Sequence, residues 1–146
     1  MALLSALDTL IELAMRETDE AAKRLGHAIR ATEDTEKKLE LLMQYRDEYA
    51  ARFQASMAAG LTAMGYRNFQ LFMGKLDDAI AGQQQIVMQS KRLEENERSA
   101  WQQSERKRMS YDTLATRAHK EEQRKENKRD QKDTDEQATR SAHFKR

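Results

Sequence analysis

Residues 49–76 read YAARFQASMAAGLTAMGYRNFQLFMGKL, and the parsing of this stretch decides the fold. Tyr49 and Phe53 stand at its start, and Tyr66, Phe69 and Phe72 come after its middle. The centre, Met57 to Asn68, is mostly small residues punctuated by Gly60 and Gly65. Glycine costs a helix interior about 1 kcal/mol against alanine and permits positive φ. The stretch therefore predicts a turn over residues 58–68, with Asn68 as N-cap of a second helix.

Apolar residues recur at alternating spacings of three and four on both sides of this turn. Before it, one series is Leu4, Ile11, Thr18, Leu25, Thr32, Leu39, Arg46 and Phe53. The interleaved series is Leu7, Ala14, Ala21, Ala28, Thr35, Leu42, Tyr49 and Ser56. This predicts a helix over residues 3–57, with Ser5 and Asp8 as a capping box. After the turn the series is Phe69, Phe72, Leu76, Ala79, Gln83, Ile86, Ser90, Leu93, Glu97, Ala100, Ser104, Lys107, Tyr111, Leu114 and Ala118. It predicts a second helix over residues 69–120, followed by a charged C-terminal extension, 121–146.

Composition agrees. The chain has 146 residues, no Pro, no Cys and only 5 Gly, and 35% of its residues are charged. Ala, Glu, Lys, Leu and Arg make up about half of it, which with a heptad period marks a coiled coil. One Val and four Ile leave strands poorly supplied. The absence of cysteine excludes disulfides, thiol nucleophiles and cysteine zinc sites. The longest uncharged stretches are too short for a transmembrane span. Leu3, Leu4 and Leu7 are followed by Asp8 and Glu12 without a basic leader, so the N-terminus does not read as a signal peptide and a cytoplasmic protein is expected.

Two such segments joined by a turn fold back on each other. The expected class is all-α: a long two-helix antiparallel coiled-coil hairpin with a charged C-terminal overhang, forming one elongated domain. A turn centred near residue 62 makes facing residues sum to about 125, as antiparallel a-to-d pairing requires. Phe53 then meets Phe72, Tyr49 meets Leu76, Leu39 meets Ile86, Ile11 meets Leu114 and Leu7 meets Ala118. The first helix would run roughly 80 Å at 1.5 Å per residue. Thr18, Ala21, Ala28 and Thr35 would face Lys107, Ser104, Glu97 and Ser90, layers that bury little apolar area, so a marginally stable waist is expected.

Nothing points to catalysis. Ser104 and Lys107 match S-x-x-K on a helix turn without a pocket. His27, His119 and His143 are too dispersed to converge on zinc, and Gly60 and Gly65 lack the G-K-[ST] of a phosphate loop. Neither a cofactor nor a metal is expected. Lys125, Lys128, Arg129 and Lys132 alternate with Glu126, Asp130, Asp133, Asp135 and Glu136, favouring a solvated ion-paired helix over a nucleic-acid site. No basic face opposes a continuous apolar one, so membrane insertion is not expected either. The unusual side chains gather beside the turn: Leu42, Met43, Tyr45, Tyr49 and Phe53 with Tyr66, Phe69, Phe72, Met73, Leu76, Ala79 and Ile80. Met43, Tyr45, Met73 and Ile80 fall off the strict seam, so an exposed patch suited to a protein partner is predicted.

Three stretches carry a family resemblance: ALDTLIELAMRETDEAAKRLG from Ala6 to Gly26; LLMQYRDEY from Leu41 with YRNFQLFMGKLDDAI from Tyr66; and ENKRDQKDTDE from Glu126. Through them the chain resembles the FliJ family of flagellar type III export proteins over nearly its whole length. The resemblance implies a non-enzymatic antiparallel stalk, similar to the central stalk of rotary ATPases. It would dock in a hexameric export ATPase, touch the export gate membrane protein and pass on export chaperones, in the cytoplasm at the inner-membrane face of the flagellar base. It implies gate contacts at Leu42, Tyr45, Tyr49, Phe72, Leu76 and Ala79. The ATPase would be held by Met15, Arg16, Asp19, Glu20 and Lys23, and by Glu126, Asp130, Lys132 and Glu136. Lys38 and Gln83 depart from the family's pattern and receive no role. The equivalent stalk of a virulence injectisome and a generic coiled-coil adaptor are the alternatives.

Overall fold

A computed structural model describes residues 2–144 and contains two helices, α1 (Ala2–Ala59) and α2 (Ala63–Phe144), packed as a hairpin. Among the described residues there is no strand.

The connection is tighter than the sequence suggests. Gly60 sits at φ 96°, and its N–H donates to the Met57 carbonyl at 3.3 Å, ending α1. Thr62 then caps α2: its Oγ1 accepts from the Gly65 N–H at 3.1 Å and its carbonyl from the Tyr66 N–H at 2.9 Å. The connection is therefore residues 60–62 instead of 58–68. Asn68 and Gly65 both lie inside α2, because Thr62 reaches the free amides first. Ser5 likewise lies inside α1, where its carbonyl accepts from the Thr9 hydroxyl at 3.1 Å, so the expected capping box does not form. At its far end α2 runs past residue 120 to Phe144.

Every position of the expected α1 series, Leu4 through Ser56, is buried or half-buried. On α2 the alternate members hold, and of the others only Phe72 and Ala100 are half-buried. Phe69, Leu76, Gln83, Ser90, Glu97, Ser104, Tyr111 and Ala118 are in the seam, but their intermediates lie one residue later than expected. Met73, Ile80, Val87, Glu94, Trp101, Arg108 and Ala115 turn inward, while Ala79, Ile86, Leu93, Lys107 and Leu114 are exposed. A connection centred on Leu61 brings facing residues to a sum of about 122, not 125, and this matches the buried positions of both helices. The competing stripe is the more apolar overall, with Leu93 and Leu114 where the true one has Glu94 and Ala115. The true one accommodates Glu94 and Arg108, whose aliphatic stems can line a seam while their charged ends stay wet.

Contacts divide the chain into two compact units. In the unit spanning Glu20–Trp101, the core is Ala21, Ala28, Thr32, Leu76, Ile80 and Val87. Gln83 Nε2 donates across the hairpin to the Thr35 carbonyl at 2.9 Å, and Arg24 pairs with Glu97 at 3.3 Å. The small residues expected to form a poor waist are among the best covered: Ala21 is 0% exposed. These layers are thin but closed. The Thr32 hydroxyl is satisfied by its own helix, donating to the Ala28 carbonyl at 3.0 Å.

In the other unit, up to Asp19 and from Gln102, Leu7, Ala14, Thr18 and Ala115 are buried. Glu17 pairs with Lys107 at 3.6 Å, and Thr18 donates to the Ala14 carbonyl at 2.8 Å. Past Glu122 every described residue of α2 is exposed. The Thr134 and Thr139 hydroxyls there bond only to carbonyls one turn back.

Candidate protein-interaction site

The aromatic residues near the turn form a ladder because α1 repeats them every four residues, at Tyr45, Tyr49 and Phe53, while α2 presents them at three-residue steps, at Tyr66, Phe69 and Phe72. Phe53 contacts Tyr66 and Phe69 with ring centroids 5.6 and 5.1 Å apart. Tyr49 contacts Phe69 at 5.0 Å and Phe72 at 4.4 Å. Tyr45 meets Phe72 edge-on at 6.3 Å. Such pairs contribute about 0.5–1.5 kcal/mol each beyond the area they bury. Below the ladder Arg46 Nε donates to Asp77 Oδ1 at 2.5 Å. That hydrogen bond, with the charge of Asp77, holds the Arg46 guanidinium above its ordinary pKa.

The last rung emerges on one flank of the hairpin. Tyr45 is 48% exposed, Phe72 and Tyr49 are half-buried, Leu42 is half-buried and Ala79 is exposed. Of the six residues that the resemblance assigned to the gate, Tyr45, Tyr49 and Phe72 are in direct contact. Leu76, at 7% exposure, belongs to the core and has little surface to offer a partner. Met73 and Ile80, expected off the seam, are inside it, with Ile80 buried.

Sequence periodicity misses part of this flank. Phe72, Ala79, Ile86 and Leu93 each precede a seam residue of α2, as Tyr45 precedes Arg46 on α1. Residues preceding these positions share a flank in an antiparallel pair, and the Tyr45–Phe72 contact fixes which one. Ile86 and Leu93 therefore extend the exposed apolar edge. Their signal is present in the sequence, but spacing alone assigns them to the core.

The residues expected to hold an ATPase are exposed. Met15 and Asp19 line a groove of about 260 Å³ with Thr18, Glu105 and Arg108. Arg108 donates to Glu105 at 2.6 Å and to Asp112 at 3.0 Å. The hydrogen bond from Arg108 holds the Glu105 carboxyl below its ordinary 4.5. The same bond, with the charges of Glu105, Asp112 and Asp19, raises Arg108. Arg16, Glu20 and Lys23 are exposed, as are Glu126, Asp130, Lys132 and Glu136.

Other candidate chemistry finds no support. Lys107 of the S-x-x-K match is paired with Glu17, and Arg30 donates to His27 Nδ1 at 3.0 Å. Among the described residues no His, Cys, Asp or Glu cluster could hold a metal. No described helix is long and apolar enough to cross a membrane.

Comparison with known proteins places this arrangement. A family model described as "Flagellar FliJ protein" matches residues 4–146. The chain is 32% identical over 137 residues to the flagellar FliJ protein of Escherichia coli (strain K12), covering 94% of this chain and 93% of that one. It is 31% identical over 142 residues to the flagellar FliJ protein of Salmonella typhi, covering 97% of each.

Proposed function

Because the chain belongs to the flagellar FliJ family, a non-catalytic component of flagellar export, we propose that it is a stalk linking the export ATPase to the export gate and handing on empty export chaperones. The observation that carries this reading is the aromatic ladder surfacing at Tyr45 and Phe72 on an exposed apolar flank. Rigid rings with polar edges are the residues most often found at the centre of protein interfaces.

In this reading the gate protein is held by Tyr45, Tyr49 and Phe72 with Leu42 and Ala79. Leu76 supports them from beneath. The hexameric ATPase is held by the surface from Met15 to Lys23 and by the charged segment Glu126 to Glu136. A single two-helix stalk inside six identical subunits cannot contact all of them alike. It therefore binds one subunit state in preference to the others, which shifts populations around the ring.

Two experiments test the two ends separately. Adding the chain to purified export ATPase at sub-stoichiometric amounts should promote ring assembly and hydrolysis; no change in either would remove the stalk. At the gate, Tyr45→Ala should weaken capture of the gate protein at least tenfold while the circular dichroism of the free chain is unchanged. Undiminished capture would move the gate contact elsewhere.

A further inference from the structure

The flank opposite Tyr45 carries a different chemistry. Met43, Ala50 and Met57 follow the α1 seam residues Leu42, Tyr49 and Ser56, and Gln70 and Asp77 follow Phe69 and Leu76 on α2. The Glu36–Lys91 ion pair, at 3.5 Å, joins these two edges. Between them runs a groove of about 370 Å³ whose lining includes Ala50, Phe53, Phe69, Met73, Gly74 and Asp77. The groove is open because its walls are short: a Cβ placed on Gly74 would meet nothing within 4 Å, and Ala50 offers only a methyl group. Met43 and Met57 lie exposed on the same flank, and Met88 follows Gly74 two heptads along α2. Exposed methionines are flexible and polarisable, and they suit a surface that must adapt to another helix.

Unpaired acidic residues also mark this flank. Glu33, Glu40 and Asp47 recur at seven-residue steps beside the methionine edge, and none has an ion-pair partner among the described residues. Seven residues of helix advance about 10.5 Å, the repeat at which a second helix presents one face. On the Tyr45 flank the charges are mixed, Lys38, Arg52 and Lys75 with Asp34 and Glu48. A second copy could bring its Lys38 and Arg52 against this acidic edge. Such a contact is head-to-tail, however, and would propagate without closing.

We propose that the methionine flank of residues 33–88 is a docking groove for a basic amphipathic helix of a partner protein. An apolar side chain of that helix sits against Gly74, and its lysines or arginines run along Glu33, Glu40 and Asp47. The groove is separate from the Tyr45 surface and does not depend on the gate reading.

The test uses the full chain with ¹³C-methyl methionine and a synthetic peptide of leucines and lysines in helical heptads as probe. The methyl signals of Met43, Met57, Met73 and Met88 should move on titration, while Met64, beside the turn, stays put. The same peptide with glutamate for lysine should not bind. Gly74→Leu, which fills the groove in open space, should weaken binding at least tenfold with helicity retained. Asp47→Asn combined with Glu40→Gln should weaken it comparably, and Tyr45→Ala should leave it unchanged. Equal binding of a lysine peptide with scrambled leucines would reduce the site to plain charge attraction and overturn the proposal. So would absence of binding, signal changes on the Tyr45 flank instead, or sedimentation showing that the chain alone polymerises through this face.

Discussion

Gly60 is held at φ 96°, a conformation that costs a residue with a side chain about 1–2 kcal/mol. Gly60→Ala should therefore lower unfolding stability by about that amount in urea titration, and Gly60→Asn by less, since asparagine tolerates the left-handed region. Ala21 presents the opposite constraint. It has no exposed surface, so Ala21→Leu forces extra methylenes into a closed layer and should cost about 1–3 kcal/mol. Thr32→Val should cost little, because the hydroxyl it removes bonds only to the Ala28 carbonyl of its own helix. If Ala21→Leu proved harmless, the small-residue layers would be loose, as their sequence alone suggests.

At the scale of the helix, Glu105 and Arg108 tie α2 to itself beside Met15 and Asp19. The folded chain holds the Glu105 carboxyl below 4.5 through its bond to Arg108. A depressed carboxyl stabilises the folded state fully above its unfolded pKa and loses that contribution as pH falls through the folded value. Stability measured by denaturant should thus decline below about pH 4.5. Glu105→Gln should flatten that decline, because the contribution is then missing at neutral pH as well. The two helices also differ in how much of them the sequence reveals. On α1 the polar residues leave one apolar stripe, so Leu4 to Ser56 could be read directly. On α2 two stripes run one residue apart, Phe72, Ala79, Ile86 and Leu93 against Met73, Ile80 and Val87. Local hydrophobicity favours the wrong one. The choice rests on the three-residue connection, which shifts the pairing by about three residues. The Tyr45–Phe72 contact was nevertheless foreseeable, because side chains this long reach across neighbouring registers. Leu76 reads both as a seam residue and as a gate contact, and the structure fills the seam with it.

For the molecule as a whole, the hairpin makes contacts near Gly60 local in sequence and those farther along each helix progressively more distant. Closing a longer loop adds conformational cost only slowly, as the logarithm of its length. Phe53→Ala, which removes a ring touching both Tyr66 and Phe69, should therefore slow refolding as well as destabilise, whereas Leu7→Ala should mainly accelerate unfolding; stopped-flow folding kinetics separate the two. Past Glu122 no α1 residue remains to lie alongside α2. The ion pair of Glu121 with Arg124, at 3.9 Å, lies at its start, and the Thr134 and Thr139 hydroxyls bond only back to their own helix, which does little to hold it. Helices in proteins draw most of their stability from packing an apolar face, and this segment packs none. Trypsin should accordingly cut first at Lys125, Lys128 or Arg129, well before any site between Lys23 and Lys91. Fixing one backbone residue costs about 1–2 kcal/mol of entropy. A protein that grips this segment must therefore supply the missing burial itself, and its grip would register calorimetrically as a favourable enthalpy set against a loss of disorder.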